Sequence, residues 1–302
     1  MFRRILCPID LSKESDEALN YAIAFAKAYS AKLLVVHCVE GQPLEACAYQ
    51  ASLERHVERF VLTRFYGAPS PDWEAIAVEG DPVTAISGEA ANRCADLIVM
   101  ASRRRPNAAA LLGSTAEAVC RTAPCPVMVT HPERQSGQTA ASGAQARIPF
   151  KRVLIAHDFS DCSELALING VSLAREFHAE VHLLHLLQPQ RGRDNYEGTP
   201  SPESAFQDAT RRLKNSIPAE ARVWGEVKVA VREGAPYREI LAYADEQEID
   251  LICMGVRGSG FGMKALFGSN ADRVIRQANC PVLAARPLRP AIARLCSGNS
   301  LA

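Results

Sequence analysis

At 302 residues, 48% hydrophobic and 23% charged, the chain has the make-up of an ordinary soluble globular protein with room for two domains. Lysine plus arginine and aspartate plus glutamate are equal at 34 each, which gives no electrostatic case for nucleic acid or an anionic membrane as partner. No apolar run is long enough to cross a bilayer.

The N-terminus, Met1-Phe2-Arg3-Arg4 running into Ile5-Leu6, reads as the start of a strand rather than a secretory signal. Strands are predicted over residues 4–9, 32–38, 74–78, 97–101 and 127–130, with helical stretches between them. The clearest helix covers 12–29, where Ser12 is an N-cap and Ala18, Leu19, Ala22, Ile23 and Ala26 share one face. A segment rich in Ser, Gly, Gln and Ala follows and reads as a flexible linker. The same order then restarts, with strands predicted over 153–156, 180–187, 226–231, 251–254 and 282–285 and a helix over 160–177. Residues 188–202 lack periodicity and read as a mobile loop. In the tail, Ile292 and Leu295 could dock as a short helix.

The restart is a repeat. Phe2-Arg3-Arg4-Ile5-Leu6-Cys7-Pro8-Ile9-Asp10 returns as Phe150-Lys151-Arg152-Val153-Leu154-Ile155-Ala156-His157-Asp158. Arg121-Thr122-Ala123-Pro124-Cys125-Pro126-Val127 returns as Arg276-Gln277-Ala278-Asn279-Cys280-Pro281-Val282. Two copies of one domain therefore lie in tandem, over 1–132 and 150–287, with a linker at 133–149 and a tail at 288–302. Strands alternating with helices predict an α/β fold in which each domain is doubly wound, a five-stranded parallel sheet with helices on both faces.

The most distinctive stretch runs from Leu251 to Asn279. An apolar strand passes into a loop holding Gly255, Gly258, Gly260 and Gly262, and Gly268-Ser269 opens a helix beginning near Asn270, with Ala271, Val274, Ile275 and Ala278 on one face. Glycines let a ligand approach bare main chain, and a helix N-terminus offers free N–H groups to phosphate. Arg257 and Lys264 add positive charge. Neither a P-loop nor the dinucleotide fingerprint is present. In a doubly wound sheet, ligands sit beyond the carboxyl ends of the strands, which adds Ala156-His157-Asp158 and Leu186 to the expected pocket. Leu186 would take a flat base, and Asp158 would accept from a ribose hydroxyl, hold a metal, or simply cap the helix after it.

The ten cysteines are scattered, without a Cys-x-x-Cys, and read as buried small hydrophobes in a reducing cytoplasm. His182 and His185, an odd number of positions apart on a strand, face opposite sides and make a poor chelating pair.

An Asp closing the first strand, Leu-Leu-His in the second, Gly-x2-Gly-x9-Gly-Ser after the fourth and Cys-Pro-Val opening the fifth resemble the universal stress protein family, here as a tandem pair. The resemblance implies an adenine nucleotide alpha hydrolase-like fold and a regulatory protein of the stress response that binds ATP, ADP or AMP, with magnesium accompanying the nucleotide and touching Asp158. Carried over by position, it implies that Ala156, His157, Asp158 and Leu186 line the adenosine, and that Met254, Gly255, Arg257, Gly258, Gly268, Ser269 and Asn270 hold ribose and phosphates. It also implies pairing through the fifth strands, so the two copies are expected to form an intramolecular pseudo-dimer, with a homodimer of chains as a further possibility.

The first copy departs from the motif. Asp10 is kept, but Ala101 stands at the position of Gly255, Arg104 at that of Gly258, and Arg103-Arg104-Arg105-Pro106 fills the loop before Gly113-Ser114. Nucleotide is therefore expected in the second copy alone. Catalysis, if any, is expected to be slow ATP hydrolysis. Two alternatives stand beside the regulatory reading. One is an ATP-pyrophosphatase or nucleotidyl-transferase enzyme, against which the chain lacks Ser-Gly-Gly-x-Asp-Ser after either first strand; the other is an adaptor acting on a protein partner through its surfaces.

Overall fold

The computed structural model describes residues 2–39, 43–64, 70–102, 113–131, 150–188, 201–219, 221, 227–257 and 268–287, with the side chains of 43–48 and 63–64 left aside. The chain divides into two compact units. Met1–Ile148 and Pro287–Ala302 form the first, and Pro149–Arg286 the second.

In the first unit the order is β1 (Arg4–Pro8), α1 (Lys13–Tyr29), β2 (Lys32–Val39), α2 (Pro43–Arg64), β3 (Trp73–Glu79), α3 (Pro82–Asn92), β4 (Leu97–Ala101), α4 (Ser114–Thr122) and β5 (Val127–Thr130). In the second it is β6 (Arg152–Ala156), α5 (Asp161–Phe177), β7 (Glu180–Leu187), α6 (Pro202–Ser216), β8 (Val227–Glu233), α7 (Pro236–Glu246), β9 (Leu251–Gly255), α8 (Ser269–Gln277) and β10 (Val282–Ala285). Within the first unit the strands lie in the order β3-β2-β1-β4-β5, and within the second β8-β7-β6-β9-β10. The neighbours within each unit are parallel. Every predicted strand is present to within two residues at either end.

The sequence supplies the punctuation. Ser12 and Ser160 cap α1 and α5 by accepting from the N–H three residues on, and Ser30 and His178 end those helices in the left-handed region. Gly80 and Gly234, at φ 118° and 152°, turn β3 and β8 into helices that begin with Pro82 and Pro236. Pro202 likewise heads α6, so the aperiodic segment ends one residue earlier than predicted. Asp96 and Asp250 each accept two main-chain N–H groups, from Arg3 and Arg4 and from Lys151 and Arg152, and fix the starts of β1 and β6. The central strands are apolar on both faces and buried, as helices on either side require.

Among the described residues no helix is long and apolar enough to cross a membrane. Cys7, Cys38, Cys120, Cys125, Cys162, Cys253 and Cys280 are free thiols. Burial pushes the thiols of Cys7 and Cys253 far up and that of Cys280 to about 12, which leaves them protonated and unreactive. Cys94, in the turn from α3 to β4, is disulfide-bonded, which the reading of the cysteines as isolated small hydrophobes did not anticipate. The predicted short helix at Ile292 and Leu295 falls outside the described residues.

Candidate functional site

In the second unit β6 is the middle strand. Ala156 is in register with Leu184 of β7 on one side and Met254 of β9 on the other. From here the chain moves one way through α5 to β7 and returns the other way to β9, so the carboxyl ends of β6 and β9 are where the winding reverses.

His157 extends the ladder by donating its main-chain N–H to the Leu184 carbonyl at 2.8 Å. Its ring is almost wholly buried. Nδ1 accepts from the Phe159 N–H at 3.2 Å, which places the proton on Nε2. That atom lies 3.2 Å from Glu164 Oε1 yet makes no aligned hydrogen bond. His185 Nδ1 donates to the His157 carbonyl at 2.7 Å. Burial lowers the pKa of both rings below the ordinary histidine value, against the opposing pull of Glu164 and Asp158 on His157. These neutral imidazoles hold the strand end in place.

Asp158 follows. Its Oδ1 accepts from the Ser160 N–H at 3.1 Å and from Ser160 Oγ at 2.5 Å, a local turn that sets up the start of α5. The cap itself is Ser160, so the helix-starting role foreseen for Asp158 is shared between the two. Ser160 also reaches across the chain: its Oγ stands 3.3 Å from the carbonyl oxygen of Arg257, just past β9. One hydroxyl thus joins the Asp158 turn to the start of the glycine loop.

Gly255 ends β9. A Cβ there would meet Cys162 Cβ at 2.8 Å and the Ser163 nitrogen at 3.0 Å, so strand–helix packing demands the glycine. Gly268 donates its N–H to the Val256 carbonyl at 2.7 Å, and a Cβ would lie 3.1 Å from that oxygen. It stands at the N-cap of α8 and, as a glycine, supplies no side-chain cap to the first N–H groups. Ser269 is exposed and Asn270 half-buried in the opening turn. Arg257 Nε is buried and makes no hydrogen bond among the described residues. Leu186 and Met254 are the penultimate residues of β7 and β9, Leu186 half-buried and Met254 buried. Gly258, Gly260, Gly262 and Lys264 lie outside the described residues.

Sequence reasoning passed over Phe159. Its backbone is left-handed, at φ 62°, and its ring lies 5.0 Å from that of His157 and 4.6 Å from that of His185. The guanidinium of Arg212, from α6, covers it at 4.0 Å. The only sequence signal was an aromatic residue directly after Asp158. His182, on the other side of β7, pairs through Nδ1 with the Tyr243 hydroxyl at 3.0 Å, so the two histidines point to opposite faces. Among the described residues no group of three or more His, Cys, Asp or Glu could hold a metal ion.

The first unit repeats the frame: Asp10 accepts from the Ser12 N–H at 3.0 Å, Leu11 takes φ 62°, and His37 donates to the Ile9 carbonyl at 2.8 Å. Gly113 begins α4 with no side-chain cap. Ala101 replaces Gly255 at the strand end, and Arg103, Arg104 and Arg105 fall outside the described residues.

The sequence pattern described as the Universal stress protein family matches residues 1–131 and 149–286. A universal stress protein of Methanocaldococcus jannaschii is 32% identical over 142 residues, covering 44% of this chain and 81% of the relative. One from Thermus aquaticus is 37% identical over 137 residues, 43% of this chain and 98% of the relative. Among solved structures, a universal stress protein from Archaeoglobus fulgidus aligns with a TM-score of 0.62 at 24% identity over 94% of this chain and 98% of that one. At this identity the match speaks for the fold.

Proposed function

The chain belongs to the universal stress protein family, with two copies of the domain in tandem, and we propose that it is a stress-response regulatory protein that binds an adenine nucleotide in its second copy. The observation that carries this reading is the Ser160 bridge, which draws the Asp158 turn and the Arg257 segment together at the reversal of the sheet.

Two features fit a phosphate chain there. The α8 N-terminus presents N–H groups without a side-chain cap, and the buried Arg257 Nε is a donor in want of an acceptor. The adenosine would lie against Ala156, His157 and Leu186, with Asp158 toward the ribose and the main chain of Met254 and Gly255 beside it. Ser269, Asn270 and, by sequence position, Gly258 would meet the phosphates. Magnesium would arrive on the phosphates themselves, with Asp158 the carboxylate nearest to it. Asp158 already accepts two donors from Ser160, which favours a nucleotide held over one consumed. Nucleotide occupancy would then set affinity for a protein partner.

Release of small molecules from the denatured purified protein, read by mass spectrometry, together with titration by a fluorescent ATP analogue, tests the reading. Saturable micromolar binding that is lost in Gly258→Arg is expected. Binding unaffected by that substitution, or none at saturating nucleotide, overturns it.

A further inference from the structure

Two guanidinium groups converge on Tyr237 in the first turn of α7. The guanidinium carbon of Arg273, from α8, stands 4.6 Å from the centre of the ring, and that of Arg238, the next residue along α7, stands 5.7 Å from it. Arg238 Nε donates to the phenol oxygen at 2.9 Å. That bond, helped by the charge of both arginines, lowers the pKa of the phenol below its ordinary value. Tyr237 is half-buried and both arginines are exposed.

Among the described residues neither cation is balanced by an acid. The carboxylates beside them serve other arginines: Glu239, next to Arg238, lies 3.8 Å from Arg232, and Asp272, next to Arg273, accepts from Arg276 at 2.9 Å. Arg152 and Arg211 likewise have carboxylate partners, Glu248 and Asp208. Two like charges held at one ring repel each other, and an anion received between them relieves that repulsion.

The repeat shows that the cluster is particular to the second copy. Asp81, Pro82, Val83 and Thr84 stand where the second copy has Ala235, Pro236, Tyr237 and Arg238, and Ala118 stands where it has Arg273. In the first unit Asp81 accepts from the Thr84 N–H at 2.9 Å and caps α3, whereas α7 has no side-chain cap. Between the copies one acid is lost and two bases are gained at the same turn. Since α7 and α8 both start from the carboxyl ends of parallel strands, the cluster lies at the same end of the sheet as the expected nucleotide pocket. It sits a turn further along α8 than Ser269, outside the residues assigned to that pocket.

We propose that Arg238 and Arg273, spaced by the ring of Tyr237, form a second anion site that takes a doubly charged phosphate, free or carried on a small molecule. A phosphate dianion accepts from two forked donors at once and offsets both charges, whereas a single carboxylate offsets one. The site stands whether or not nucleotide occupies the pocket.

The test titrates the full chain at about pH 7.5 with inorganic phosphate and, separately, with glycerol 3-phosphate, followed by calorimetry and phosphorus NMR. Saturable binding is expected, weakened about tenfold or more in Arg238→Gln and in Arg273→Gln, with urea midpoints unchanged. Tyr237→Phe keeps the ring and should retain binding, whereas Tyr237→Ala should weaken it. Arg257→Gln, which alters the expected nucleotide pocket, should leave phosphate binding as it is. Tighter binding of glycerol 3-phosphate would identify the ligand as a phosphorylated small molecule, and tighter binding of inorganic phosphate would identify it as the ion itself. Binding that survives both Arg238→Gln and Arg273→Gln but is lost in Arg257→Gln would put the phosphate in the nucleotide pocket and overturn the proposal, as would the absence of saturable binding to either probe.

Discussion

Gly255 faces Cys162 with no room between them: a Cβ on the glycine would stand 2.8 Å from the Cβ of the cysteine and 2.9 Å from its carbonyl carbon. The end of β9 and the first turn of α5 touch through main chain at this point. Gly255→Ala should therefore destabilise the second unit by about 1–3 kcal/mol through overpacking, seen as a lower urea midpoint. An unchanged midpoint would mean that α5 moves aside freely.

Ser160 caps α5, bonds Asp158 and reaches Arg257, whereas Ser12 caps α1 and sits beside Asp10 in the first unit. Both Ser→Ala variants should lose roughly 0.5–2 kcal/mol of stability, the ordinary cost of a lost cap. Nucleotide affinity should fall in Ser160→Ala alone. Equal loss of binding in the two variants would show that the bridge has no special role.

If the buried Arg257 Nε serves a phosphate, Arg257→Gln should weaken ATP binding about tenfold or more, as expected for a hydrogen bond to a charged group. Adenosine, which carries no phosphate, should bind the variant and the wild type alike. Titration of both ligands separates the two effects.

Burial lowers the pKa of His157, His182 and His185 below the ordinary value of 6.5. The unfolded chain takes up these protons first, so stability should be level above about pH 6.5 and fall as the pH drops below it. Denaturant titrations at pH 7.5 and 5.5 check the sign. His182→Asn should flatten the dependence while losing some stability with the Tyr243 contact. A stability that rises on acidification would contradict the burial of these rings.

The strand–helix alternation was legible because each strand is an uninterrupted apolar run and each principal helix carries a Ser or Pro start signal, and the repeat then doubled the evidence. Asp158 and Gly268 were legible because turn and cap positions restrict residue type, whereas Gly255 was read as room for a ligand and is required by the packing of Cys162. Phe159 and Arg212 were not. They meet only because α6 lies over the end of β7, and nothing in the local pattern of either residue announces the other. The cysteines misled in one place: scattered spacing argues against a metal or a disulfide framework, but not against a single bond at Cys94.

Composition, periodicity and the returning motifs settled by themselves that two doubly wound domains lie in tandem and that the second keeps the glycines the first has lost. These are statements about local backbone preference and apolar spacing, which a chain carries in its order of residues. What only the tertiary structure decided is why Gly255 must be bare and that Ser160 joins segments 97 residues apart. Those contacts arise from how closely a helix settles on a particular strand, a distance that the order of residues alone does not specify.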